Sequence, residues 1–189
     1  MSITLAQRAE QLTSQSLLDL LAAGNLETDN RDKIRYVPEG TGPAWWGPGD
    51  QLTFLITARE TGGAFSLMEA VVPPGGGPPP HIHHREDETF YVLEGCATVT
   101  VGGKTLYALP GDLVFLPRGV EHCFKNTGTE NAKFLCLITP GGFEGFFAES
   151  FFPATDRKSV PPPISPELIA RMNAAAPRYG LEFVPPRSE

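Results

Sequence analysis

Two histidines, His81 and His83, stand two residues apart, and Glu88 follows five residues after His83. A third histidine, His122, lies well downstream. Residues two apart on an extended strand point to the same face, so the imidazoles of His81 and His83 can reach one point. His84 is adjacent to His83 and points the other way. A polar turn, His84 to Asp87, allows a return strand to bring the Glu88 carboxylate to that point, and Glu86 and Asp87 read as solvated turn residues. His122 comes from a distant strand, bounded by Pro117–Gly119 before it and Asn126 after it. Three imidazoles with one carboxylate are a borderline donor set. They suit one divalent transition-metal ion (manganese, iron, nickel, cobalt, copper or zinc) and disfavour calcium and magnesium, which prefer oxygen shells.

The elements that must position these residues are short strands. From Lys33 to Pro140, apolar runs of strand length alternate with turn signals. The runs are Lys33–Val37, Leu52–Ala58, Ala64–Val72, Thr89–Leu93, Ala97–Val101, Thr105–Leu109, Leu113–Leu116, His122–Lys125 and Lys133–Ile138, separated by Gly- and Pro-rich breaks such as Gly40–Gly49 and Pro73–Pro80. With no helical pattern between them, they predict an antiparallel sandwich or barrel. The chain's 20 Gly and 19 Pro against 3 Met support the same reading. Ahead of the barrel, Leu5, Ala9, Leu12, Leu17, Leu20 and Leu21 fall mostly at helical spacing and predict an amphipathic helix over residues 3–23. Behind it, an aromatic helix is expected from Phe143 to Phe151. A second should start at Ser165 as N-cap with Pro166 at the first helical position and run to about Ala176, before an extended tail over Tyr179–Pro186. The expected organisation is an N-terminal helical arm (1–32), a β-barrel (33–140) and a helical, Pro-rich C-terminal extension (141–189).

The stretch Gly75–Gly95 reads G-x5-H-x-H-x4-E-x6-G, and Gly111–Asn126 reads G-x5-P-x-G-x2-H-x3-N through Gly111, Pro117, Gly119, His122 and Asn126. These two stretches resemble the paired motifs of the cupin family, with every fixed position filled and residues 96–110 forming a short spacer. The resemblance implies an all-β fold: an antiparallel jelly-roll barrel, with the helices above as appendages, holding one metal ion inside on His81, His83, Glu88 and His122. Outside the motifs, the segment His81–Gly95, the Pro140–Phe147 run and the helix-bearing C-terminus resemble single-domain cupins similar to quercetin 2,3-dioxygenase. That likeness implies a dioxygenase acting on a small aromatic or enol-type substrate, with Glu88 as both metal ligand and catalytic base. The alternatives are a non-oxygenase isomerase, cyclase or lyase, or a non-catalytic small-molecule-binding cupin, because one fold hosts many chemistries.

Strand alternation turns Phe90 and Phe124 inward with Glu88 and His122, and Phe54, Phe65, Phe115 and Phe134 are further candidates to line an apolar pocket. Any of these rings could instead fill the barrel. Trp45 and Trp46 fit either a place over the mouth or packing outside. A net charge of -7 disfavours nucleic acid and anionic membrane as partners. Hydrophobic residues at 41% and charged residues at 20% describe an ordinary globular chain, with no run long enough to span a membrane. The cysteines Cys96, Cys123 and Cys136 are odd in number and lack CxxC spacing, which points to reduced thiols in a cytoplasm. The apolar face of the N-terminal helix, on a domain complete without it, points to a homodimer.

Overall fold

The computed structural model describes residues 35–155, 157 and 164–185. The N-terminal helix expected over residues 3–23, and with it the arm 1–32, lies outside the described residues.

The runs between 44 and 139 form ten strands: β1 (Ala44–Trp46), β2 (Gln51–Ile56), β3 (Ser66–Val72), β4 (His81–His83), β5 (Asp87–Glu94), β6 (Ala97–Val101), β7 (Lys104–Ala108), β8 (Leu113–Leu116), β9 (His122–Lys125) and β10 (Ala132–Thr139). A one-turn helix, α1 (Ala58–Thr61), follows β2. Beyond the barrel come α2 (Glu144–Ser150), β11 (Phe152–Pro153), α3 (Pro166–Ala175), a 3-10 turn (Ala176–Tyr179) and β12 (Leu181–Phe183). A seven-stranded sheet runs β11-β1-β2-β3-β10-β5-β8, and a five-stranded sheet runs β12-β4-β9-β6-β7. Every pairing is antiparallel. This is the all-β, jelly-roll arrangement that the sequence predicts.

Strict two-residue alternation sets the register of the sheets. In β3, Ser66, Met68, Ala70 and Val72 are buried, and in β10 so are Ala132, Phe134, Cys136 and Ile138. Slipping either strand by one residue would turn Glu69 or Lys133 inward, so burial holds the register. The inner faces of both sheets share one hydrophobic core. The β6–β7 hairpin turns on Gly102 and Gly103, both at positive φ, the two-residue turn whose twist matches its strands.

The fixed glycines and the asparagine of the motifs have structural roles. Gly95 sits at positive φ, and a Cβ there would stand 2.7 Å from backbone atoms of Asn131 and Ala132. Asn126 is fully buried, donates to the carbonyls of Val72 and Glu130, and accepts from the Gly128 amide. Gly119 donates its amide to the His83 carbonyl at 2.7 Å.

Two expectations are corrected. Residues 35–37 carry no strand, and the first strand lies instead at Ala44–Trp46, within a stretch read as a break. Trp45 pairs opposite Leu52 and stacks on Phe54, with ring centroids 4.6 Å apart, so burial of the indole overrides the surrounding glycines and prolines. Trp45 and Trp46 are thus core residues, neither over the mouth nor on the outside. The C-terminal elements fall where expected. Ser165 caps α3 by accepting from the Leu168 amide. The described residues of segment 141–185 share the barrel's core, since β11 pairs with β1 and β12 with β4. Buried Glu144 ties it down, accepting from the Ala58 and Gly142 amides at 2.6 and 2.8 Å.

Candidate metal centre

Alternation on the three-residue β4 points His81 and His83 inward and Ile82 away. His122 on β9 lies directly opposite His81, and Glu88 reaches the same space from β5 in the other sheet. All four side chains are buried, and one potential ligand atom from each lies within 4.8 Å of all the others. His81 Nδ1 sits 2.8 Å from the Pro79 carbonyl, and His122 Nδ1 2.9 Å from that of Val120. A carbonyl only accepts, so each Nδ1 carries a proton and each Nε2 is left as the ligand atom that faces the cluster.

Glu88 uses its two oxygens differently. Oε2 faces the histidines, 3.2 Å from His122 Nε2 and 3.9 Å from His83 Nε2. Oε1 accepts a hydrogen bond from the Cys136 thiol at 3.1 Å. Burial raises the Glu88 carboxyl, but the His122 hydrogen bond and the surrounding imidazoles outweigh it and bring it down to about 2. Burial lowers His81 to about 3, with the neighbouring His122 and His83 adding to the effect. His122 is also lowered by burial, but its contact with Glu88 raises it on balance. Burial drives the Cys136 thiol well up, so it stays protonated as the donor to Glu88. The cluster thus offers a carboxylate oxygen beside three inward-facing imidazoles, and a metal ion would displace the proton that His122 Nε2 shares with Glu88. This donor set fits a single transition-metal ion.

The turn between β4 and β5 departs from expectation at Glu86. It is 6% exposed, not solvated, and its Oε2 stands 3.8 Å from His83 Nδ1, too far for a hydrogen bond. Both atoms are buried without a hydrogen-bond partner. The tight reversal that delivers Glu88 tucks Glu86 beneath the His83 ring. Asp87 follows expectation in staying off the cluster, since Arg118 binds it and holds its carboxyl down to about 2. His84 turns away and meets Glu182 at 2.8 Å.

Beside the cluster opens a cavity lined by His81, His83 and Glu88. Phe90 and Phe124 line it as expected. The other four expected rings do not. Phe134 packs behind these two, centroids 6.0 and 5.5 Å away. Phe54 faces Trp45. Phe65 lies in the α1–β3 turn, where its carbonyl accepts from Thr61 Oγ1. Phe115 is 56% exposed, because Val114 and Leu116 take the inward positions of β8. The remaining aromatic wall is Phe143, Phe146, Phe147 and Phe151 around α2, with Phe183 from β12. Phe143 meets the His83 ring edge-on at 4.3 Å. The Phe143–Phe151 run was legible as a helix, but nothing in its spacing says that the helix roofs the metal cluster. Asp50 also lines the cavity, and an aspartate in a Gly-Pro-Gly turn gives no sign of burial.

Residues 68–138 match the family model described as Cupin domain. The barrel is a cupin domain. All four residues of the cluster lie inside the matched span. Over 100 residues the chain is 33% identical to Quercetin 2,3-dioxygenase of Bacillus subtilis, covering 52% of this chain and 29% of that protein. It is 33% identical over 75 residues to an uncharacterized protein of Methanocaldococcus jannaschii, covering 40% of this chain and 60% of that one. The matches thus span less than two thirds of either relative's own length. Among solved structures, a predicted oxalate decarboxylase from Thermotoga maritima aligns with a TM-score of 0.52 at 23% identity, covering 57% of this chain and 99% of that chain. An RmlC-like cupin from Shewanella frigidimarina aligns with a TM-score of 0.51 at 20% identity, covering 60% of this chain and 96% of that chain. At such identities the likeness concerns the fold and not the activity.

Proposed function

We propose that this cupin is a metal-dependent dioxygenase acting on a small aromatic or enol-type substrate, with His81, His83, Glu88 and His122 as metal ligands and Glu88 as the base. The observation that carries the reading is a buried cluster of three histidines and one glutamate, of which His81, His83 and Glu88 line a cavity walled by phenylalanines. The 33% identity to a quercetin 2,3-dioxygenase over part of its length supports it. A divalent transition metal bound there would acidify a hydroxyl placed beside it and, where redox-active, make oxygen reactive toward the resulting enolate.

The chain's own residues supply the rest. The phenylalanine wall holds a flat apolar ligand and excludes water. Glu88 is the one member of the cluster that accepts a proton without becoming a cation. Its Oε1, already an acceptor for the Cys136 thiol, keeps a second lone pair for the substrate proton. A carboxylate is a weak base, so only a hydroxyl acidified by the metal would give up its proton to Glu88. The test is oxygen consumption by purified protein of known metal content, screened with quercetin and related enols. Uptake coupled to loss of substrate is expected. Turnover of enols without oxygen uptake would leave the isomerase, cyclase or lyase alternative, and binding without turnover would leave a small-molecule-binding cupin.

We further propose a cytoplasmic homodimer. Tyr91, Leu113 and Phe115 stand exposed on the outer face of β5 and the edge strand β8, an apolar surface that a second copy would cover. Light scattering at tens of micromolar should give twice the monomer mass, and a monomer there contradicts it. No helix among the described residues is long and apolar enough to cross a membrane.

A further inference from the structure

We propose that Asp50 is a ligand-recognition residue of the cavity, which hydrogen bonds a neutral hydroxyl group of the bound small molecule and selects against carboxylates. The inference rests on the small-molecule part of the function proposed above and extends it to a residue outside the cupin motifs.

Asp50 ends the turn between β1 and β2. Its backbone carbonyl accepts from the Gly47 amide at 3.0 Å, and its side chain lines the cavity. The residue is only 8% exposed, and its Oδ1 has no hydrogen-bond partner. A buried carboxyl oxygen left unpaired is costly, and native interiors seldom keep one without a use. Among the described residues with such an orphaned buried atom, only Asp50 and His83 line the cavity, and the His83 atom faces Glu86 instead. Gly47 is part of the arrangement, because a Cβ there would clash with Asp50 Oδ1 and the Phe151 ring.

The surroundings define the ligand group. No lysine or arginine is among the described residues lining the cavity, whereas Glu88 is a second acid on its wall. The Asp50 charge is felt at Cys136, whose thiol in turn binds Glu88, so both acids bear on the same cavity. A ligand carboxylate would find no cationic side chain among the described lining residues and would stand beside acids of its own sign, so once chelation removes any bound metal nothing offsets the cost of its burial. A hydroxyl carries no such penalty and can donate to or accept from Asp50. Burial raises the Asp50 carboxyl from 3.8 to about 7, so near neutrality the group is available in both forms. The recognised molecule is therefore an uncharged, ring-bearing compound with a hydroxyl, a phenol or an enol, rather than an aromatic acid.

Three naphthalenes test this on the full-length protein, as purified and again after chelation: 2-naphthol, naphthalene and 2-naphthoate, with affinities read by NMR titration. Wild type should prefer 2-naphthol to naphthalene by about 10-fold or more, the range of a hydrogen bond to an ionisable partner, and after chelation should bind 2-naphthoate weakest. After chelation, which leaves no metal to hold the hydroxyl, Asp50→Leu should bring the hydroxyl preference close to one. Asp50→Asn keeps a hydrogen-bonding group without the charge, so it should retain the preference and strengthen 2-naphthoate binding by about 10-fold. Undiminished hydroxyl preference in Asp50→Leu after chelation would overturn the proposal. Should that variant fail to fold, unchanged 2-naphthoate binding in Asp50→Asn overturns it equally. The outcomes separate this inference from the dioxygenase reading. Absence of oxygen uptake with an intact, Asp50-dependent hydroxyl preference defeats only the dioxygenase. Uptake with an Asp50-independent preference defeats only the inference.

Discussion

The floor and the roof of the cavity are built on opposite principles. On the floor, polar atoms hold one another: His81 and His122 are locked by backbone carbonyls, and Glu88 is shared between His122 and Cys136. On the roof, Phe143, Phe146, Phe147 and Phe151 touch through ring faces and edges, with centroids 5.1 to 5.9 Å apart. Hydrogen bonds fix directions, whereas apolar packing fixes volume and tolerates rearrangement of shape. The floor is thus suited to holding an ion, and the roof to setting which molecule reaches it. The two should fail separately when mutated.

The largest separation is expected at Glu88. Glu88→Gln keeps size and one coordinating oxygen but loses basicity. On the proposed mechanism, turnover should fall by about 100- to 10,000-fold while metal content falls only in part. Near-normal turnover at full metal occupancy would reduce Glu88 to a ligand. The converse change is Phe146→Ala on the roof. Phe146 is buried among Phe143, Phe147, Phe151 and Tyr179, so truncation should cost about 3–5 kcal/mol of folding stability. Metal bound per folded molecule should be unchanged, and metal loss in parallel with stability would show that floor and roof are not independent.

Asp50 sharpens the comparison, because it is a polar group set among apolar walls. Its folded carboxyl, at about 7, lies above the ordinary 3.8. Below 3.8 both folded and unfolded chains hold the proton and no penalty applies. As pH rises toward 7 the unfolded chain releases its proton first, so the folded state loses ground, and the loss is complete above 7. Asp50→Asn removes that penalty. Its stability gain over wild type should be about a third of its full size at pH 5 and grow by pH 8, toward an upper bound of about 4 kcal/mol. Equal melting-temperature differences at both pH values would mean that the Asp50 carboxyl is not held up by burial.

The same contrast explains what was legible beforehand. The floor could be read because its residues lie at fixed offsets on short strands: the two-residue step from His81 to His83, and the turn before Glu88, translate directly into a shared point. The barrel strands could be read because alternation in β3 and β10 is unbroken. Phe115 could not be placed, since a run of four apolar residues, Leu113–Leu116, gives no sign of which alternate pair faces inward. Trp45 was obscured by the glycines and prolines around it, although stacking on Phe54 decides its place. The roof depends on where α2 and β12 dock, a tertiary outcome that local periodicity does not encode. Glu86 and Asp50 share one reason for being missed. An acidic residue in a turn is solvated by default, and only the surrounding fold buries it.

The central claim is that His81, His83, Glu88 and His122 hold one metal ion, and elemental analysis tests it most directly. Full-length wild type and His122→Ala, purified side by side and checked for folding by circular dichroism, are compared for transition-metal content. The account predicts about one equivalent in wild type and loss of most of it in the variant. Unchanged metal content in folded His122→Ala would contradict it.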